Sequence, residues 1–240
     1  MSAGGRPIPD DGLRARMEAS LVASWAALAA VAPGARMVGR AAVFPAEPHR
    51  SIYNNALAGP GGRDVGAAVR AYREAGIERF AVWVAEGDGA AAAAVARHGL
   101  ALDESTRGMA LDLRDLRVER GRYEPGPADA ATVLAINGVA PGLMDGAPFA
   151  ARTALADGAP AAAVMWHDHG GDRTIFLVAT RPEARRRGLA GALMADALLD
   201  ARDAGCATAS LQASPMAEGV YARLGFRDLG RFLEFAPPPE

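Results

Sequence analysis

The chain contains no lysine: all 26 basic residues are arginine. With the heavy use of alanine and glycine, this reads as a GC-rich coding bias and not as a physical adaptation. Cysteine is almost absent as well. The single Cys206 excludes an internal disulfide framework and fits a reducing compartment; at a strand start it reads as a small hydrophobe. Excess charge of either sign is missing too, the formal net charge being −2, which weighs against a nucleic-acid footprint. No apolar run approaches the roughly 20 residues that span a bilayer. The longest candidate, Leu21–Ala32 before Pro33-Gly34-Ala35, has a signal-peptide flavour, but Asp10, Asp11 and Glu18 spoil the basic leader. The protein is therefore expected to be cytoplasmic, with neither membrane nor nucleic acid as a partner.

What is present is enough apolar material for a sizeable core: half of 240 residues, as one large domain or two of about 120. Leu13, Met17, Leu21, Trp25 and Leu28 recur at helical spacing and predict an amphipathic N-terminal helix capped by Asp10 or Asp11. Strands are expected at 36–44, 50–57 and 79–85, with helices at 64–75 and 89–98, and two short strands at 101–106 and 109–113. Further on, the expected helices are 128–138 and 149–156 and the expected strands 161–167 and 173–179. A helix, a strand at 207–213, a helix at 214–224 and a closing strand pair at 227–235 complete the chain.

The organising stretch is Arg173–Gly191, RTIFLVATRPEARRRGLAG. Ile175-Phe176-Leu177-Val178-Ala179 has the composition of a buried strand, and Pro182 ends the ladder. Arg185-Arg186-Arg187-Gly188 then opens a helix with Leu189, Leu193, Ala197 and Ala201 on one face. A strand, a glycine-bearing turn and a helix N-terminus make an anion site, because the first helical N–H groups lack intrahelical partners. Gly188 lets a phosphate approach where a Cβ would block it. The bland alternative is a buried strand followed by a solvated, arginine-rich helix start.

Arg185-x-x-Gly188-x-Ala190 resembles the acyl-CoA signature of the GNAT superfamily of N-acetyltransferases. Downstream, Tyr221-Ala-Arg-Leu-Gly225-Phe226 resembles the Y-x-x-x-G-F element of the same superfamily. The two motifs stand in the right order on the expected elements. The resemblance implies a mixed, mainly antiparallel α/β sheet in which two central strands splay to admit the pantetheine arm of acetyl-CoA, the co-substrate. Matched residue by residue, the cofactor-binding positions would be Val178, Ala179 and Thr180, then Arg185, Arg186, Arg187, Gly188, Leu189, Ala190 and Gly191. Ser214 would touch the pantetheine arm. Tyr221 would be the catalytic acid that protonates the leaving thiolate, the alternative being an aromatic packed beside Phe226 in the core. Many members place a glutamate where this chain has Thr174; Asp168 and Asp172 lie close by, and no base is assigned.

The first half echoes the second. Glu74-Ala75-Gly76 precedes a strand as Asp203-Ala204-Gly205 does, and His98-Gly99-Leu100 follows a helix as Leu224-Gly225-Phe226 does. This points to two tandem GNAT-like halves, 1–117 and 118–240, parted at the charged, Pro/Gly-bearing stretch 117–129. The first half is read as degenerate: Val95 stands where Tyr221 would, and the match Arg63-x-x-Gly66-x-Ala68 sits in a doubtful register. His167-Asp168-His169 on a strand could chelate a metal, but no third ligand is evident and the run leads into Gly170-Gly171, so it is read as a turn with no metal. Asp145 and Trp166 are weighed as acceptor-cleft residues. The function implied is direct transfer of an acetyl group to an amine of a small molecule or peptide; the alternative is a non-catalytic acyl-CoA-sensing or interaction module. A homodimer is compatible with either.

Overall fold

The computed structural model describes residues 7–121, 123, 125–140, 142–144 and 146–238. In chain order the helices and strands are α1 (Asp10–Val31), β1 (Arg36–Val38), β2 (Ala41–Val43), β3 (Asn55–Leu57), α2 (Val65–Glu74), β4 (Ala81–Ala85), α3 (Gly89–Arg97) and β5 (Ala101–Asp112). They continue with β6 (Gly126–Pro127), α4 (Ala130–Ile136), β7 (Ala150–Ala156), β8 (Ala159–His169), β9 (Asp172–Thr180), α5 (Leu189–Asp203), β10 (Thr208–Ala213), α6 (Glu218–Arg223) and β11 (Arg227–Ala236). The class is the expected one, mixed α/β and mainly antiparallel.

Two compact units emerge. One holds residues 1–20, 108–145 and 149–229; the other holds 21–107, 146–148 and 230–240. In the first, the strand order runs from the 108–112 part of β5 through β10, β9, β8 and β7 to β6, with β9 and β10 parallel. Its core gathers Leu189, Leu193, Ala197 and Leu198 of α5 against Val164, Trp166, Ile175 and Leu211. In the second, β1, β2, β3 and β4 are followed by the 230–236 part of β11, with β3 and β4 parallel. Val69 and Tyr72 of α2 and Val95 of α3 close over Val43, Val82 and Val84. Each unit thus carries one parallel strand pair joined by a crossover helix, the arrangement that a duplicated unit requires. No helix among the described residues is long and apolar enough to cross a membrane.

Several expectations need correction. The strand over 36–44 is a hairpin, turned at Gly39 with φ 58°. Only 55–57 of the run 50–57 pairs, because buried Asn54 ties the preceding loop: its Nδ2 donates to Glu47 O and its Oδ1 accepts from Phe44 N–H, each at 2.8 Å. Residues 101–112 form one strand through Gly108, and 227–236 form one strand that accommodates Gly230 at φ 88°. Residues 149–156 are not helical; Ala150–Ala156 pairs along β8, so ladder formation overrides alanine's helical preference. His167, Asp168 and His169 lie on β8, and the turn is Gly170-Gly171.

The first unit encloses a charge. Arg173 is 2% exposed; its guanidinium donates to Asp168 at 2.6 and 2.7 Å, to Asp200 at 2.8 Å and to Ala197 O at 2.9 Å, and stacks over Trp166. Four of its five N–H donors are directed in this way, which is what makes a buried cation tolerable. Removing the cation while both carboxylates stay half-exposed sets the scale of its effect. Arg173→Ala is expected to lower unfolding free energy by about 3 kcal/mol, read from the urea midpoint.

In the second unit, burial pushes the Glu234 carboxyl up to about 7, aided by Glu104 and Asp103 and opposed by the Thr106 hydroxyl that donates to it at 3.1 Å. The folded state therefore holds a proton that the unfolded chain releases near pH 4.5. Stability from this group is full below that value and falls as pH rises to about 7. Melting temperature followed across that window should decline in the wild type and stay flatter in Glu234→Gln.

Candidate active site

The site is assembled on β9. Asp172 to Ile175 pair in parallel with Thr208 to Leu211 of β10. Beyond Ile175 and Leu211 the two strands part, while β9 stays attached to β8 as far as Thr180. The side of residues 176–180 that faces β10 therefore has no ladder partner among the described residues. This is the splay that the resemblance predicted, and Val178, Ala179 and Thr180 lie along it.

Sequence reasoning missed the irregularity at its start. The β8–β9 register shifts after Met165–Phe176, and Leu177 adopts φ 52°, a left-handed conformation that costs a non-glycine residue roughly 1–2 kcal/mol. Asn137, which ends α4, holds it: its Nδ2 donates to Leu177 O at 3.0 Å and to Val133 O at 2.9 Å. Nothing in the residue types around 177 announces such a kink. The contact that sustains it comes from 40 positions away.

Past Thr180, the Arg181 N–H bonds Ala161 O at 2.8 Å, and a short 3-10 turn spans Pro182–Ala184. Arg186 at φ 63° and Gly188 at φ 82° then turn the chain into α5. Gly188 is the residue preceding the helix, and the first intrahelical bond runs from Ala192 N–H to Gly188 O. The N–H groups of Leu189, Ala190 and Gly191 are thus the orphan donors of a helix start. A Cβ on Gly188 or Gly191 would meet nothing within 4 Å, so both glycines border open space. A groove of about 410 Å³ lies there, lined by Gly188, Gly191, Ala192, Ala195, Tyr123 and Leu224.

The three arginines are not equivalent. Arg187 is committed to Asp157, with Nη1 donating at 2.9 Å. Arg185 reaches back to Thr180 O at 3.4 Å, and both Arg185 and Arg186 are exposed. Ser214 follows β10 on the surface, its carbonyl accepting from Ala217 and Glu218. Tyr221 is 7% exposed and sits in the core cluster, tilted against Phe226 at 5.9 Å. Burial pushes its phenol up to about 12, so it stays protonated at neutral pH. Trp166 faces the core beneath Arg173 and is no cleft residue. Asp145 lies outside the described residues. No group of three or more metal-ligating side chains occurs among the described residues.

The second unit repeats the corner with different chemistry. A 3-10 turn, Pro60–Gly62, leads to α2, and the residue before the helix is Asp64 at φ 71°. Asp64, not Gly66, is the counterpart of Gly188; Gly66 lies inside the helix. The corner is also filled. Asp88 accepts from Gly61 N–H at 2.8 Å, and a Cβ on Gly62 would lie 2.6 Å from that of Ala94. A carboxylate replaces the glycine, and α3 covers the turn. The two corners thus differ in charge and in the space beside them.

Residues 153–236 match the family model described as acetyltransferase (GNAT) domain. No curated protein matches the chain. Among solved structures, the chain is similar to a GCN5-related N-acetyltransferase from Kribbella flavida (19% identity, 94% of this chain and 96% of that one, TM-score 0.70). It is also similar to a functionally unknown conserved protein from Staphylococcus epidermidis (12%, 84% and 92%, TM-score 0.60). A tandem GNAT protein from the clavulanic acid biosynthesis pathway is 16% identical over 91% of this chain and 95% of that one, with TM-score 0.56. At these identities the likeness is one of fold.

Proposed function

We propose that the carboxy-terminal half, set off near residues 117–129, binds acetyl-CoA and transfers its acetyl group directly to an amine of a small molecule or peptide. The observation that carries this reading is the parting of β9 and β10 just past Ile175 and Leu211, on a path that ends at the Gly188 corner. Main chain at Val178, Ala179 and Thr180 would hold the pantetheine arm as an added strand, with Ser214 beside it. The N–H groups from Arg186 to Gly191 would hold the diphosphate, with Arg185 and Arg186 adding charge. Arg187, tied to Asp157, would position the corner more than neutralise the ligand. A backbone N–H at the kinked strand would stabilise charge on the thioester oxygen.

Tyr221 would donate the proton to the departing thiolate, a role that its protonated state suits. Its burial in the core is the observation that favours the second reading, a module that senses acyl-CoA without turnover. The lone Cys206 and balanced charge fit a cytoplasmic protein.

Gly188→Glu places a side chain at positive φ and a carboxylate where the diphosphate would lie. Calorimetry should show loss of CoA binding with the melting temperature lowered only by the few degrees that a left-handed side chain costs, and the wild type should bind one CoA per chain because Asp64 occupies the other corner. In an amine panel, Tyr221→Phe should lower kcat by about 10²-fold or more with CoA affinity retained. Absence of wild-type turnover with every acceptor would support the sensing module.

A further inference from the structure

Acetyl transfer to an amine requires that the ammonium first lose a proton, and no group has so far been given that task. The face of the sheet opposite α5 carries Thr174 and Phe176 of β9, and directly across the ladder stand His167 and Met165 of β8. The Phe149 ring packs edge-on against both His167, at 5.6 Å, and Phe176, at 5.1 Å. His167 Nδ1 is buried and has no hydrogen-bond partner among the described residues. On the other flank of Phe176, Gln212 follows the last paired residue of β10, and its Nε2 is buried and unpartnered in the same way. Buried polar atoms are nearly always satisfied, so two orphans flanking one aromatic floor, at the point where β9 and β10 part, mark a place shaped for a polar ligand.

The other titratable groups near this face are already engaged. Asp168 is bonded to Arg173 on the opposite face, and Asp172 accepts from Thr208 and Ser210 hydroxyls at 2.6 Å each. His169 is exposed at the end of β8, and Arg16 of α1 donates to Gly170 O.

We infer that His167 is the catalytic base of the proposed transfer, taking the proton from the acceptor's ammonium on its unpartnered Nδ1, with Gln212 bonding a polar group of the same acceptor. This rests on the acetyl-transfer reading. In the balanced sequence, R–NH3+ gives a proton to His167, and the free amine attacks the thioester carbon. The C–N bond forms and the C–S bond breaks as Tyr221 protonates the thiolate. The nitrogen's surplus proton restores Tyr221, and His167 releases its proton to solvent. Burial and, less strongly, His169 hold the His167 pKa below its usual value against the opposing pull of Asp168, so the imidazole is neutral and able to accept.

The test is the pH dependence of kcat/KM for amine acetylation in the wild type, His167→Gln and His167→Asn, with CoA affinity measured alongside. The wild type should show an acid limb below about pH 6.5. Each variant should lose about 10²-fold in kcat/KM at pH 7 with CoA affinity unchanged. The loss should shrink as pH approaches the amine's own pKa, because more of the acceptor then arrives neutral. A wild-type-like profile, or a loss independent of pH, overturns the role of His167 while leaving acetyl transfer standing. A wild type that acetylates no amine overturns both.

Discussion

Two parallel strands joined by a crossover helix pair over four residues and then separate, and the chemistry proposed for this chain depends on that separation. Parallel ladders ordinarily continue as long as both strands stay extended. Here β9 is turned aside by the left-handed Leu177, a conformation held in place by Asn137 bonding its carbonyl. The strain is local, and the gain is a length of main chain with unmet hydrogen-bonding capacity, leading to the orphan amides at the start of α5. One side-chain amide at the end of α4 thus supports a strand irregularity where β9 leaves β10.

The same backbone motif occurs in each unit, and comparing the two corners separates what the fold provides from what residues add. Both have a proline-led 3-10 turn, a left-handed residue and a helix. In one, the left-handed residue is Gly188, next to open space. In the other it is Asp64, with Asp88 already on a turn amide and Ala94 packed close. A helix start attracts anions only when nothing anionic is already there. The fold is repeated, but its electrostatic use is not.

Polar groups in the carboxy-terminal unit divide by face. Towards α5, Arg173 is held by two carboxylates and a carbonyl, and serves the core. On the opposite face, Asp172 is satisfied by two hydroxyls, whereas His167 and Gln212 each retain a buried atom with no hydrogen-bond partner among the described residues. Satisfied polar groups hold structure together; unsatisfied ones beside an aromatic floor are where a ligand's own groups lower the free energy.

The glycine corner was legible in the sequence because Gly188 and the helical periodicity after it are local properties, and so was the strand before it. The second motif, Tyr221 to Phe226, was legible for the same reason. The strand at 150–156 was not, since a run of small residues has no periodicity of its own and takes its state from the partner strand β8. The register of the corner in the other unit, doubtful at Gly66 in the sequence, is set by Asp64, and aspartate does not advertise a positive φ. What the chain determined by itself was therefore most of the inventory: the strongly periodic elements, the motifs, and a repeat visible in its helix-ending glycines. Only the tertiary structure decided which side chains share a face, where β9 leaves β10, and that His167 Nδ1 is buried with no hydrogen-bond partner among the described residues. Those outcomes depend on contacts between residues far apart in sequence, and no local pattern encodes them.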